Sequence, residues 1–241
     1  MDGFQGAAFS DLGAERPFFG LVSGAPQEAP AEPVTATTLT VQRLEDLDTV
    51  ILTKTMTGFD AACIAELRER IRDAAAGRLG RLKFLVMDFA HNGHAGPANS
   101  DEFDALITEA ANLILSAPIV LIANARGPMA GADIEFALAC SMLVGEEGAQ
   151  FSFAEDPIVS VETYGFLAQK LGFVRAERLM ESGEILTAHQ MQELLLLKDV
   201  IDDSEGLRGF LAKTARRHNS CYGIYRAHRM ASPVARHGRV A

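Results

Sequence analysis

The apolar positions along the chain change their period several times, and each change predicts an element. Leu39 to Leu44 and Thr49 to Thr55 read as two strands joined by the acidic turn Glu45-Asp46-Leu47-Asp48. Asp60 is placed to cap a helix running to Ala76. Its buried stripe is Ile64, Leu67, Ile71 and Ala74 or Ala75, with Gly77 as the stop. Lys83 to Phe89 is an apolar run of strand length. A second amphipathic helix opens at Ser100 or Asp101, turns Phe103, Leu106, Ile107, Ala110 and Ile114 to one side, and is stopped by Pro118. A strand over 119–123 follows, then a short apolar helix over about 133–142, with strand material at Met142-Leu143-Val144 and Phe151-Ser152-Phe153. From Tyr164 on, the pattern is mostly helical. Thr187-x-x-Gln190 fits a capping box, Val200-Ile201 a short strand, and Ser204 the start of one long basic helix ending near Met230. That helix carries Arg216, Arg217, His218, Arg226, His228 and Arg229. Strands alternating with helices imply an α/β fold with parallel pairing and right-handed crossovers.

Outside these elements the chain changes character. Residues 1 to 36 are rich in Gly, Ala and Pro, and Ala25-Pro26-Gln27-Glu28-Ala29-Pro30-Ala31-Glu32-Pro33 reads as an extended, mobile linker. The expected organisation is a flexible N-terminal segment (1–36), a core (37–203) and a C-terminal helical segment (204–241). A net charge of −10 argues against general nucleic-acid binding. The three cysteines, Cys63, Cys140 and Cys221, have no ligand-type spacing and lie in apolar helical surroundings, which predicts a reducing, cytoplasmic setting. No apolar run reaches the ~18 residues of a membrane span. The start Met-Asp-Gly-Phe has neither a basic region nor a signal core.

The chemistry concentrates where the strand ending at Asn124 turns into a helix through Gly127-Pro128-Met129-Ala130-Gly131-Ala132-Asp133-Ile134-Glu135. Small residues at such a junction let a ligand approach the backbone, and a helix start offers unpaired N–H groups to developing negative charge. Glu135 sits in the first turn. Glu155 follows the strand 151–153. If their strands are neighbours, the two carboxylates flank one ligand, and one can activate water while the other moves a proton on carbon. The plainer reading makes Glu135 an acid that suits the helix dipole and Glu155 a loop acid. His91 and His94 lack a third ligand at metal-binding spacing. The methionines are scattered, as core filler is. No Gly-x-Gly-x-x-Gly follows the first strand, which discards a dinucleotide-binding domain. Met129 and Ala130 cannot serve as a peptidase nucleophile near the helix start.

Ala117-Pro118-Ile119-Val120-Leu121-Ile122-Ala123-Asn124-Ala125-Arg126-Gly127 resembles the strand of the crotonase (enoyl-CoA hydratase/isomerase) superfamily that leads into its first glutamate. Gly127 to Met142 lines up without gaps on the block that follows. Glu146-Glu147-Gly148-Ala149-Gln150-Phe151 matches the block before the second glutamate, and Leu171 to Gly183 continues the similarity, as does Leu186-Thr187-Ala188. Tyr164-Gly165-Phe166-Leu167-Ala168-Gln169-Lys170-Leu171-Gly172, Ala215-Arg216-Arg217-His218-Asn219 and Tyr225-Arg226-Ala227-His228-Arg229 are similar to one branch, the bacterial diffusible-signal-factor synthases. Those enzymes dehydrate a 3-hydroxyacyl carrier-protein thioester and can cleave the thioester.

The resemblance implies a ββα spiral core with a C-terminal helical trimerisation region, so a homotrimer or hexamer. It also implies an acyl-CoA or acyl-carrier-protein thioester as substrate, with no metal or redox cofactor. It assigns catalysis to Glu135 and Glu155. An oxyanion hole falls to the N–H groups of Ala132 and Ala98, and substrate contacts to Ala95, Gly96 and Gly131. Three departures bear on this. Pro97 has no N–H where the second donor is expected. Asp133 puts a negative side chain beside the first donor. The glycine loop after Glu155 becomes Asp156-Pro157-Ile158-Val159-Ser160-Val161-Glu162-Thr163. Two readings therefore stay open: an active acyl-thioester hydratase or dehydratase, and a degenerate member that binds thioesters or protein partners without turnover.

Overall fold

The computed structural model describes residues 38–90, 101–153 and 161–231. A six-stranded sheet forms the centre, in the order β1-β2-β3-β4-β6-β9. Its strands are β1 (Leu39–Leu44), β2 (Thr49–Lys54), β3 (Phe84–Phe89), β4 (Val120–Ala125), β6 (Met142–Glu146) and β9 (Asp199–Ile201). The acidic turn between β1 and β2 makes them an antiparallel pair, and every later pairing in this sheet is parallel. β3 and β4 are buried at every position, so they lack alternation and appear as unbroken apolar runs. A second, three-stranded sheet joins β5 (Pro128–Met129), β7 (Gln150–Ser152) and β8 (Ile185–Thr187).

The pleat sends alternate residues into two cores. Leu85, Met87 and Phe89 of β3 and Leu121, Ala123 and Ala125 of β4 face one side, with α1 (Ala61–Ala75), α2 (Asp101–Ser116) and α3 (Ala132–Ala139). Phe84 and Val86, with Val120 and Ile122, face the other, where Leu207, Phe210 and Leu211 of α7 (Ser204–Ala215) close the layer. Local signals end the helices much as expected. Asp60 accepts from Cys63 N at 2.7 Å. Thr187 and Gln190 form the reciprocal capping box of α6 (Ala188–Glu193).

Several expectations need correction. The basic helix does start at Ser204, capped by Asp203, but it is two helices, α7 and α8 (His218–Ala231), parted at Arg216–Arg217. α3 ends at Ala139 because Cys140 is already extended (φ −64°, ψ 156°) and Met142 pairs with Ile122 in β6. The helical stretch around Tyr164 starts at Val161 as α4 (Val161–Leu171) and continues as α5 (Phe173–Ser182). Among the described residues no helix is long and apolar enough to cross a membrane.

Candidate active site

The site is built where β4 leaves the large sheet. Its chain passes through β5, which pairs in parallel with β7: Pro128 is opposite Gln150 and Met129 opposite Phe151. Gln150 N also donates to Gly127 O at 3.3 Å. The segment entering α3 and the segment leaving β7 therefore depart from adjacent strand ends, about 4.8 Å apart in the pairing direction. The strand directly before α3, which carries Glu135, is thus a neighbour of β7. Glu155 itself lies outside the described residues, as do Ala95, Gly96, Pro97, Ala98, His91, His94 and the loop 156–160.

Between β5 and α3 the backbone takes a conformation only glycine adopts freely: Gly131 has φ 51° and ψ −130°. It turns the chain sharply, so that Ala132 opens the helix half-exposed. Asp133 N bonds to Ala130 O at 3.2 Å and Glu135 N to Gly131 O at 3.2 Å. Ala132 N–H has no acceptor among the described residues. It remains one of the orphan donors of a helix start. Glu135, one turn further, is 3 % exposed. A buried carboxylate beside an open backbone donor suits a reaction in which charge develops on a bound oxygen.

Asp133 does not compete with that donor. Its carboxylate is 3 % exposed and turned onto Lys54 at the end of β2, which is 2 % exposed. Lys54 Nζ lies 2.6 Å from Oδ1 and 2.9 Å from Oδ2, and donates a third bond to Thr57 O at 3.1 Å. The ammonium thus has three acceptor oxygens within hydrogen-bond reach. The ammonium also sits over the Phe59 ring, 4.8 Å from its centroid, and Phe59 meets Phe136 edge-on at 4.8 Å. Burial pushes the Asp133 carboxyl up to about 6, against the opposing pull of Lys54. The expected clash with an oxyanion is answered by a strand lysine that sequence reasoning missed. The only signal was a lysine closing the strand Thr49-Val50-Ile51-Leu52-Thr53-Lys54.

On the opposite face, the same strand ends carry a second polar row. Asp88 of β3, 2 % exposed, accepts from Thr53 Oγ1 and Asn124 Nδ2 at 2.9 Å each. Arg126 Nη2 pairs with Asp88 Oδ2 at 2.9 Å, and its Nε lies 3.5 Å from Glu146 Oε1. Arg126 N further donates to Phe89 O at 3.4 Å. This cluster ties together the ends of β2, β3 and β4, from which both halves of the site emerge. Among the described residues no group of three or more His, Cys, Asp or Glu side chains is arranged to hold a metal ion.

No protein-family model and no curated protein matches the chain. Solved structures do. A putative enoyl-CoA hydratase/isomerase (crotonase) from Legionella pneumophila superposes with a TM-score of 0.69 at 16 % identity, covering 83 % of this chain and 85 % of that one. An enoyl-CoA hydratase from Thermoplasma volcanium gives 0.68 at 18 %, covering 80 % and 84 %. An enoyl-CoA hydratase/isomerase from Marinobacter aquaeolei gives 0.65 at 16 %, covering 80 % and 84 %. At these identities the likeness is one of fold: the chain has the α/β crotonase fold of these enoyl-CoA hydratase/isomerase structures.

Proposed function

We propose that the protein is an acyl-thioester hydratase or dehydratase. The observation that carries this reading is the junction itself: the Gly131 turn leaves Ala132 N–H without an acceptor among the described residues and buries Glu135 one turn along α3. The β5–β7 pairing supports bringing the residues after β7, among them Glu155, to the same place. In the hydration direction, Glu135 holds and activates water for attack at the β-carbon, and Glu155 delivers a proton to the α-carbon. Dehydration runs the same steps backwards, with the hydroxyl leaving as water. Ala132 N–H and an N–H from residues 95–98, Ala98 first among them, hold the thioester oxygen while negative charge builds on it. Gly131, Ala95 and Gly96 let the thioester approach the backbone. The reaction needs no metal or redox cofactor.

The substrate is an acyl-CoA or acyl-carrier-protein thioester in this reading, and the protein is a trimer or hexamer. Phe173 and Val174, 72 % and 62 % exposed at the start of α5, support self-association. The neutralised Asp133 favours a working site over a degenerate one.

Crotonyl-CoA and a long-chain 2-enoyl-CoA, followed by ultraviolet loss of the conjugated thioester and by mass spectrometry, test the reading. Water addition is expected. Glu135→Gln should lower it by about 10²-fold or more, the usual scale for a positioned acid or base. Release of free acid instead would move the protein to the signal-synthase branch. Thioester binding without turnover would leave it a binding protein.

A further inference from the structure

The far end of α3 opens onto a different feature. A cavity of about 730 Å³ lies between the last turn of α3, α4, the loop 194–198 and α8. That volume is within the range of small-molecule sites, roughly 300–1,000 Å³. Neither Glu135 nor Ala132 lines it. Leu138, Met142, Phe166 and Leu196, each under 5 % exposed, form its buried apolar wall, and Ser141, Gln169, Gln192 and Tyr225 add polar lining. Among the described residues its charged lining residues are two lysines, Lys170 at the end of α4 and Lys198 just before β9; both side chains reach solvent, and burial among the lining groups lowers the pKa of the Lys170 ammonium. Among the described residues no aspartate or glutamate lines it, although the chain has 32 acidic residues against 22 basic ones. Neither lysine side chain has an ion-pair or hydrogen-bond partner among the described residues.

The rim adds a second observation. The loop after α6 closes as a Schellman motif: Leu196 N donates to Met191 O at 3.0 Å and Leu195 N to Gln192 O at 2.9 Å. The left-handed position that glycine fills in such motifs is held by Leu195, with φ 59° and its side chain 87 % exposed at the cavity edge. A strained backbone that presents a large apolar side chain at the edge of a cavity is a mark of a binding surface.

We propose that this cavity binds a single-chain amphiphilic anion, an alkyl carboxylate. Its chain lies on Leu138, Met142, Phe166 and Leu196, and its head sits between Lys170 and Lys198, with Leu195 over the first methylenes. A buried apolar wall with two unpaired lysines and no carboxylate beside it, among the described residues, matches such a molecule and opposes both a neutral alkane and a cationic amphiphile. The inference stands apart from the thioester chemistry, since it uses none of that site's residues.

Titration of the full chain with dansylaminoundecanoate, whose emission rises in apolar surroundings, tests it. Saturable binding is expected, displaced by dodecanoate but not by dodecyltrimethylammonium. Because both lysines are exposed, Lys170→Glu with Lys198→Glu should keep the native circular dichroism and weaken binding at least about tenfold, with the double Gln variant in between. Methyl-labelled methionine should show the Met142 signal move on saturation, and Glu135→Gln should leave affinity unchanged. Absence of saturable binding, equal displacement by the cationic amphiphile, or unchanged affinity in the double Glu variant would overturn the proposal. So would a Met142 signal that stays still while Glu135→Gln removes binding, which would place the ligand in the thioester site.

Discussion

Two charged clusters meet at the end of β2 on opposite faces of the sheet, one joining it to α3 and the other to β3 and β4. On one face, Lys54 and Asp133 are buried together, and the ammonium lies over the Phe59 ring with three acceptor oxygens in reach. On the other, Asp88 shares its two oxygens among Thr53, Asn124 and Arg126, and Arg126 is 36 % exposed on its outer side. The closed cluster rests on one partner. The open one spreads its compensation over a hydroxyl, an amide and a partly solvated cation. Removing a single group should therefore do very different damage in the two places, even though both clusters fix the strand ends that frame the candidate site.

The largest effect belongs to Lys54→Met. It leaves the Asp133 carboxylate buried without its counter-charge, and chemical denaturation should report a loss of about 3–5 kcal/mol. Adding Asp133→Leu should restore most of it, because a matched apolar pair of similar volume is often neutral relative to a buried ion pair. A single-variant loss below about 1 kcal/mol would mean that the pair is reached by water and is no different in kind from the Asp88 cluster.

The closed cluster also predicts a pH signature. The Asp133 carboxyl rises from its ordinary 3.8 to about 6 in the folded chain. Between those values the folded state holds a proton that the unfolded state has released. Stability from this group is thus fully present below the lower value and falls as pH rises through the upper one. Comparing wild type with Asp133→Asn across that window should show the wild type losing ground with rising pH, by at most about 3 kcal/mol. A difference that stays flat would show that Lys54 keeps the carboxylate ionised throughout.

A smaller loss is expected on the open side. Asp88→Ala strands the Asn124 amide and the Thr53 hydroxyl, and should cost about 2 kcal/mol. Arg126→Ala should cost about 1 kcal/mol or less, because its charge is partly solvated and Asp88 keeps two donors. Equal losses in the two variants would mean the cation alone holds the row, which would erase the contrast with Lys54.

These clusters also show what could be taken from the chain in advance. The βα rhythm was legible because parallel strands buried on both faces must be apolar throughout, as in Phe84–Phe89 and Val120–Ala125. The capping box at Thr187 was legible because its partners are three residues apart. Glu135 stood out through the small-residue turn before it. Lys54–Asp133 joins residues 79 apart, and no local pattern encodes that contact. The strands β5 and β8 are two and three residues long, too short for any alternation to register. The break at Arg216–Arg217 is equally silent, since arginine favours helices and only packing decides where α7 stops.

The loop after α6 shows the same gap between local pattern and three-dimensional demand. Leu194-Leu195-Leu196-Leu197 offers no stop signal, yet the helix ends there with Leu195 in the left-handed region. Leucine in that conformation costs about 1–2 kcal/mol relative to glycine, while glycine gives back about 0.5–1 kcal/mol through its freer unfolded chain. Leu195→Gly should therefore stabilise the fold by about 0.5 kcal/mol, a rise in thermal midpoint of about 1–2 °C at this chain length. Little packing is lost, because the side chain is 87 % exposed. If the gain appears while amphiphile binding weakens, the strain is held for the cavity's sake, and the two ends of α3 serve different ligands. If the gain appears and binding is untouched, Leu195 contributes only strain, and the mouth is defined by its lysines alone.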